Sequence, residues 1–209
     1  MANICDNDFT YYGENQIELL KFYFKLSQAC EEAGGDAKTI LSILGASSKE
    51  IDEIDGRTDV QYVELLTAAD NKVQGVRFMA SSAWSPCDDF AKYALLAVLP
   101  GGGDVEMCYV AEEPGCEIFI NTDVDHKFYD VVVNIDVSCK DYEDQFYYGI
   151  TEFTSLADMI RELSGVSITK FEDLNDIEII KRISAGFEAK YPETDDDSPW
   201  MSLHVYSDE

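Results

Sequence analysis

The chain switches between two hydrophobic periods, and the switches mark out its elements. Residues 3–12 alternate loosely and stop at Gly13, as a short strand does. Over residues 14–33, Ile17, Leu20, Phe24 and Ala29, with Leu19, Tyr23 and Leu26, recur at near-helical spacing before Gly34-Gly35 ends the helix. Residues 36–55 hold one short periodic stretch, Ile40-Leu41-Ile43-Leu44, then Gly45 and an acidic run, which predicts short helices in a long connection. Residues 60–68 and 73–80 are strand-like and joined by Asp70-Asn71-Lys72, a hairpin signal because Asp and Asn tolerate left-handed backbone. A helix is expected over 87–99, with Ser85 as its cap, Trp84 as the hydrophobic staple before the cap, and Asp88-Asp89 at the positive end of its dipole. Strands follow at 105–111, 116–121, 128–137 and 145–150. The pattern then turns helical over 155–164 and 174–191, and 200–206 alternates like an edge strand.

Over residues 3–112 the order is strand, helix, strand, strand, helix, strand. That order predicts an α+β fold of the ferredoxin-like kind, a split βαβ antiparallel sheet with helices on one face. The later strands extend this sheet or build a second one. The expected organisation is a ferredoxin-like α+β domain with extra strands over 1–150, and a helical extension with a final strand over 151–209, packed on the same domain. The acidic segment 192–199 reads as a loop rather than a boundary.

Composition narrows the function classes. The 209 residues are 46% hydrophobic and 12% aromatic, which is too rich for a disordered chain. Against this, 42 acidic residues face 15 basic ones, a formal charge of −27. Such a polyanion repels phosphates and anionic lipid, so direct nucleic-acid binding and membrane association are not expected. The excess is uneven, with 16 acidic against 8 basic residues over 1–100 and 26 against 7 over 101–209. No secretory leader or membrane-length apolar run is visible, so a soluble cytoplasmic protein is expected. The six cysteines include no C-x-x-C pair, so reduced thiols and no metal or cofactor are expected.

Three short segments resemble the YubB-like ferredoxin-fold proteins of phages, plasmids and other mobile elements. Asn3-Ile4-Cys5-Asp6-Asn7 is similar to that family's Asn-Trp-Cys-x-Asn opening, with Ile4 in place of Trp. Ala83-Trp84-Ser85-Pro86 resembles its Trp-Ser-Pro-Pro segment, with Cys87 in place of the second Pro. Tyr109-Val110-Ala111-Glu112-Glu113-Pro114-Gly115 resembles its strand and acidic turn. The resemblance covers about residues 1–125, and the stretch 34–58 has no counterpart in it. It implies a fold and a mobile-element setting, but no reaction.

Two constellations remain as candidate sites. Asn3, Cys5 and Asn7 share one face of a strand and, with Trp84 and Ser85, could wall a pocket near Glu113 for a small ligand or a reaction. A reactive thiolate there needs a base or positive charge nearby, and the only histidines are His126 and His204. In the plainer reading Cys5 packs in the sheet and the asparagines fix backbone. The second constellation is acidic: Glu112, Glu113 and Glu117, then Asp123, Asp125 and Asp130, then Asp195, Asp196 and Asp197. Glu112 to Glu117 could equally form a solvated turn around Pro114-Gly115. Asn121-x-Asp123-x-Asp125 begins like a calcium loop, but His126 and Val132 stand where an EF-hand needs Gly and Glu. Lys38-Thr39 lacks the glycines of a phosphate loop, and Ser167-x-x-Lys170 lacks its companion motifs. The reading that results is a non-enzymatic protein-interaction module. Its acidic surface binds a basic protein surface and could act as a nucleic-acid mimic that blocks a basic host protein. The alternative is a small-ligand binder or enzyme at the pocket near Cys5, Trp84 and Glu113.

Overall fold

The computed structural model describes residues 3–54, 57–194 and 198–208. It is an α+β fold with antiparallel sheets, and the chain divides into two compact units, Met1–Thr122 and Asp123–Glu209. Position 150 lies inside the second unit, between a strand and a helix, so the pair of strands before it belongs with the helices after it.

In the first unit β1 (Ile4–Tyr12) leads into α1 (Gln16–Ala33), followed by α2 (Ala37–Leu44), α3 (Ser48–Glu53), the hairpin of β2 (Asp59–Thr67) and β3 (Val73–Ala83), α4 (Asp88–Val98), β4 (Glu106–Glu113) and β5 (Ile118–Asn121). The five strands are ordered β2-β3-β1-β4-β5, every neighbouring pair antiparallel. Local chemistry sets the helix ends. The Asn15 side chain accepts hydrogen bonds from the Ile17 and Glu18 amides, and Gly34 closes α1 in left-handed backbone at φ 61°. Asp36 caps α2, and Ser47 with Glu50 forms a capping box on α3.

The buried stripe of α1 is Leu19, Phe22, Leu26 and Ala29, spaced three, four and three. Ile17 and Phe24, placed on the apolar face by the sequence reading, are exposed because they fall two residues out of phase with that stripe. One sheet face packs against α1 and α4 through aromatic contacts. The Phe9 and Phe78 rings stack at 4.9 Å, Phe22 meets Tyr11 edge-on at 4.5 Å, and Phe90 meets Phe78 edge-on at 5.7 Å. The Tyr11 hydroxyl, otherwise stranded in this core, donates to the Ala91 carbonyl at 2.8 Å.

The second unit holds a three-stranded sheet ordered β7-β6-β8, from β6 (Val131–Cys139), β7 (Tyr142–Gly149) and β8 (Trp200–Val205). The helices α5 (Phe153–Ser164) and α6 (Ile177–Lys190) contribute Leu156, Ile160, Leu163, Ile183 and Phe187 to a core with Val133, Ile135 and Val137. Gly186 lets α6 approach α5 closely, since a Cβ there would overlap the Ser164 carbonyl oxygen. No helix among the described residues is long and apolar enough to cross a membrane.

Candidate functional site

The three segments that resemble one family lie far apart in sequence, yet the first unit brings them to one end of its sheet. β1 begins there, and β3 and β4 end there. The register pairs Asp6 with both Ser81 and Glu112, and Ile4 with Ala83. One residue beyond, the Trp84 amide donates to the Asn3 carbonyl at 3.2 Å. α4 starts at the same place.

The inward face of this end is polar. Along β1 the side chains of Tyr11, Phe9, Asn7 and Cys5 alternate inward and all are buried. Phe9 and Tyr11 meet the aromatic core, whereas Asn7 is a clasp. Its amide nitrogen donates to the Cys5 carbonyl at 2.8 Å, the Ser82 hydroxyl at 2.9 Å and the Ala80 carbonyl at 3.2 Å. Its oxygen accepts from the Cys87 amide at 3.2 Å. One side chain therefore ties β1, β3 and the start of α4 together. The Ser82 hydroxyl in turn donates to the Ser85 carbonyl at 2.6 Å, which holds the turn between β3 and α4.

This arrangement corrects the expected helix start. α4 begins at Asp88 with Cys87 in the cap position and no side chain capping it, so Ser85 is not the cap. Trp84 is not a buried staple either: 48% of its surface is exposed, and its backbone is left-handed at φ 72°. For a bulky residue that conformation costs about 1–2 kcal/mol, so the turn geometry, and not the side chain's preference, dictates it.

Glu113 also differs from the expected solvated turn. It is the last residue of β4, on the inward face, and only 3% exposed. Continuing the register one step past Asp6 and Glu112 places it beside Cys5. The turn itself is Pro114–Cys116, where Gly115 passes so close to the Asn3 amide and the Glu113 carboxylate that a Cβ would push these side-chain ends aside. The Asn3 amide donates to the exposed Cys116 sulfur at 3.8 Å.

Burial disfavours the thiolate at Cys5 and Cys87. Burial pushes Cys5 up to about 12, and the Glu113 charge adds to the shift. Burial, and then the neighbouring Cys5, pushes Cys87 up to about 12. Among the described residues no positive charge acts on Cys5, and burial with the Glu113 charge disfavours its thiolate. The linkage sign follows. A folded pKa above the unfolded value means that the unfolded chain releases these protons first, so stability is full below pH 9 and falls as pH rises toward 12. Urea unfolding between pH 8 and pH 10.5 is expected to show falling stability, and a Cys5→Ala/Cys87→Ala double variant a flatter decline. Equal slopes for the two proteins would refute this origin.

The outward face is acidic. Asp59 lies opposite Ser81 on β3, Ser81 opposite Asp6 on β1, and Asp6 opposite Glu112 on β4, so one cross-strand row carries three carboxylates. Like charges directly opposite on neighbouring strands tend to repel, and Asp6 stands directly opposite Glu112. Glu117 follows in the exposed turn with φ 57°, and Asp88 and Asp89 open α4. Asp6, Asp59, Glu113 and Glu117 have no ion-pair partner among the described residues, whereas Arg77 is engaged by Asp8 and Glu64 and Lys92 by Asp88 and Asp89.

Sequence reasoning named Asn3, Cys5, Asn7, Trp84, Ser85, Glu112, Glu113 and Glu117 here, and the fold brings them to this one end. It missed Asp6, Asp59 and Ser82. The outward phase of β1 could have flagged Asp6, but the partner strand of Ser82 is a long-range fact. The remaining acidic candidates lie elsewhere. Asp123 is in the second unit and buried, its carboxylate accepting from the Phe128 and Tyr129 amides at 2.5 and 2.8 Å, so it builds a turn rather than a surface. Asp125 and Asp130 are exposed in that same unit, and Asp195, Asp196 and Asp197 lie outside the described residues. Among the described residues, no three His, Cys, Asp or Glu side chains gather as metal ligands would.

No family model matches the chain, and no curated protein matches it. A solved structure of an unknown protein from Galdieria sulphuraria aligns over 98% of this chain and 99% of that one, at 7% identity and a TM-score of 0.28, a likeness too slight to carry an argument.

Proposed function

We propose that this protein is a non-enzymatic interaction module that presents the acidic end of its first unit to a basic protein surface. The observation that carries the reading is Trp84. A large aromatic side chain stands half-exposed on strained backbone, with Asp6, Glu112, Glu117, Asp88 and Asp89 at the same end of the unit. Exposed tryptophan is the residue type most enriched among binding anchors, and strained backbone concentrates at functional positions. The ordered carboxylates supply steering toward a cationic partner. A basic groove built to hold phosphates is the class of surface such a row fits, so the module would act as a nucleic-acid mimic.

The finer fold assignment belongs to the same proposal. The order strand, α1, strand, strand, α4, strand, with the sheet order β2-β3-β1-β4, supports a ferredoxin-like reading of the first unit. The convergence of residues 3–7, 83–86 and 109–115 supports the resemblance to YubB-like proteins, and with it a mobile-element setting and a cytoplasmic location.

The test is capture of partners from a lysate of the source organism, eluted in salt steps, with wild-type and Glu112→Lys/Glu117→Lys baits. A partner released at moderate salt, and recovered about tenfold less on the charge-reversed bait, is the expected result. Recovery that ignores both salt and charge reversal would overturn the proposal.

A further inference from the structure

β2 is the outermost strand of the five-stranded sheet, and only the start of its far edge is covered. There the Val60 amide donates to the Gly35 carbonyl at 2.8 Å, and the Ala37 amide donates to the Thr58 carbonyl at 3.2 Å. These bonds make one antiparallel bridge, Asp36 opposite Asp59, in the link between α1 and α2. Gly35 permits the approach, since its backbone is left-handed at φ 94° and a Cβ would lie 2.9 Å from the Val60 carbonyl oxygen. From Tyr62 to Leu66 the strand pairs regularly with β3, between two register shifts. Among the described residues no backbone group bonds to the other edge of that stretch. Alternate amides and carbonyls of its five residues are therefore open to a further strand.

Alongside runs a groove of about 570 Å³, lined by Tyr23, Ser27, Cys30 and Glu31 of α1 and by residues 59–63. The spacing puts those four side chains on one helix face. An open strand edge beside a helix is an arrangement that takes an extended peptide: backbone pairing holds it, and the groove receives every second side chain. Charge selects the peptide. Glu31 and Asp59 line the groove, no Lys or Arg does, and neither carboxylate has an ion pair among the described residues. The groove ends at the C-terminus of α1, the negative end of its dipole, where the last turn holds Glu31 and Glu32 and no base.

We infer that β2 is a docking edge for an extended basic segment of another protein. The segment adds a sixth strand over Tyr62–Leu66 and sets a Lys or Arg beside Glu31 and Asp59. Tyr62 is half-exposed, and Phe24, 5.3 Å from the Tyr23 ring, is 64% exposed, so apolar stems have surface to pack on. A second copy of this chain is a poor occupant, because it brings the same carboxylates and a formal charge of −27 to the same edge. Neither Trp84 nor Glu112 lines this groove, so it is a separate surface from the acidic end.

Titration of the purified protein with two capped peptides, followed by amide chemical shifts and hydrogen exchange, tests the edge. Both peptides alternate valine and threonine over five residues, and one ends in two lysines, the other in two glutamates. Saturable shifts over residues 23–31 and 60–66, with slowed exchange at alternate amides of Tyr62–Leu66, are expected with the lysine peptide alone. Two further lysine peptides carry methyl groups on the backbone nitrogens of either the valines or the threonines. One of them turns its methyls toward β2 and should bind at least about tenfold more weakly, while the other keeps its affinity. Glu31→Lys should weaken binding by about fivefold, and Ser27→Tyr, which fills the groove, should abolish it. Glu143→Lys, the same charge change in the second unit, should leave it unchanged. Equal binding of the glutamate peptide, equal binding of the two methylated peptides, or binding that survives Ser27→Tyr would overturn the inference. So would slow exchange of the β2 edge amides before any peptide is added, which would assign the edge to a second copy. The titration needs neither a natural partner nor Trp84. Its failure would leave capture by the acidic end standing, and failed capture would leave the groove standing.

Discussion

Replacing Asn7 by alanine is expected to lower unfolding stability by about 3 kcal/mol or more, the largest single-residue effect at this end of the molecule. The side chain is 2% exposed and serves as donor to the Cys5 and Ala80 carbonyls and the Ser82 hydroxyl, and as acceptor for the Cys87 amide. Alanine removes all of these bonds, and with them the one that the Cys5 thiol donates to the Asn7 oxygen at 3.9 Å, and leaves buried polar groups without those partners in a space that water reaches poorly. Such orphaned groups cost about 1–3 kcal/mol each when they cannot be rehydrated. Asn7→Asp should be comparably damaging, because it exchanges the donating amide for a buried charge near Glu113. Urea unfolding of the purified variants measures this directly. A loss below about 1 kcal/mol in both would mean that Asn7 does not organise the site.

The second large effect inverts a familiar order. Alanine is usually more favourable than glycine in folded structure, yet at position 84 Trp84→Gly should be more stable than Trp84→Ala by about 1 kcal/mol. The two variants lose the same side-chain contacts and differ only in tolerance of φ 72°, which glycine adopts freely and alanine does not. Both variants should lose partner capture by at least about tenfold, as truncation of an anchor residue does. Equal stability of the two would show that the turn relaxes, and that Trp84 is not held in strained backbone.

Much of the architecture was legible in periodicity and punctuation. The alternation of β1, the glycines closing α1 and the Asp-Asn hairpin act locally, so the residues that specify them sit next to the elements they make. Asn7 shows where such reading stops. An inward-phase polar residue between Cys5 and Phe9 signals a buried hydrogen-bonded group, but its partners Ser82 and Cys87 come from the far side of a hairpin. Trp84 shows a second limit. Trp-Ser-Pro before a helix satisfies a staple and cap by composition, whereas the clasp by Asn7 and the Ser82–Ser85 bond start α4 later and turn the indole outward. Glu113 was within reach of sequence reasoning, since it shares the inward phase of Ala111, but its proline and glycine neighbours argued for a turn. The row of Asp59, Asp6 and Glu112 was not, because it exists only through strand pairing between residues distant in sequence.

The central claim is that the acidic end around Trp84 is a binding surface, and one comparison tests it most directly. Wild-type and Trp84→Gly baits, with an unrelated protein of similar size and charge as control, would be presented to the same lysate at one moderate salt concentration and the captured proteins quantified by mass spectrometry. The account predicts one basic protein enriched on the wild-type bait over the control and depleted by at least about tenfold on Trp84→Gly. The same set of basic proteins in equal amounts on all three baits would contradict it, and would leave the charge a matter of solubility alone.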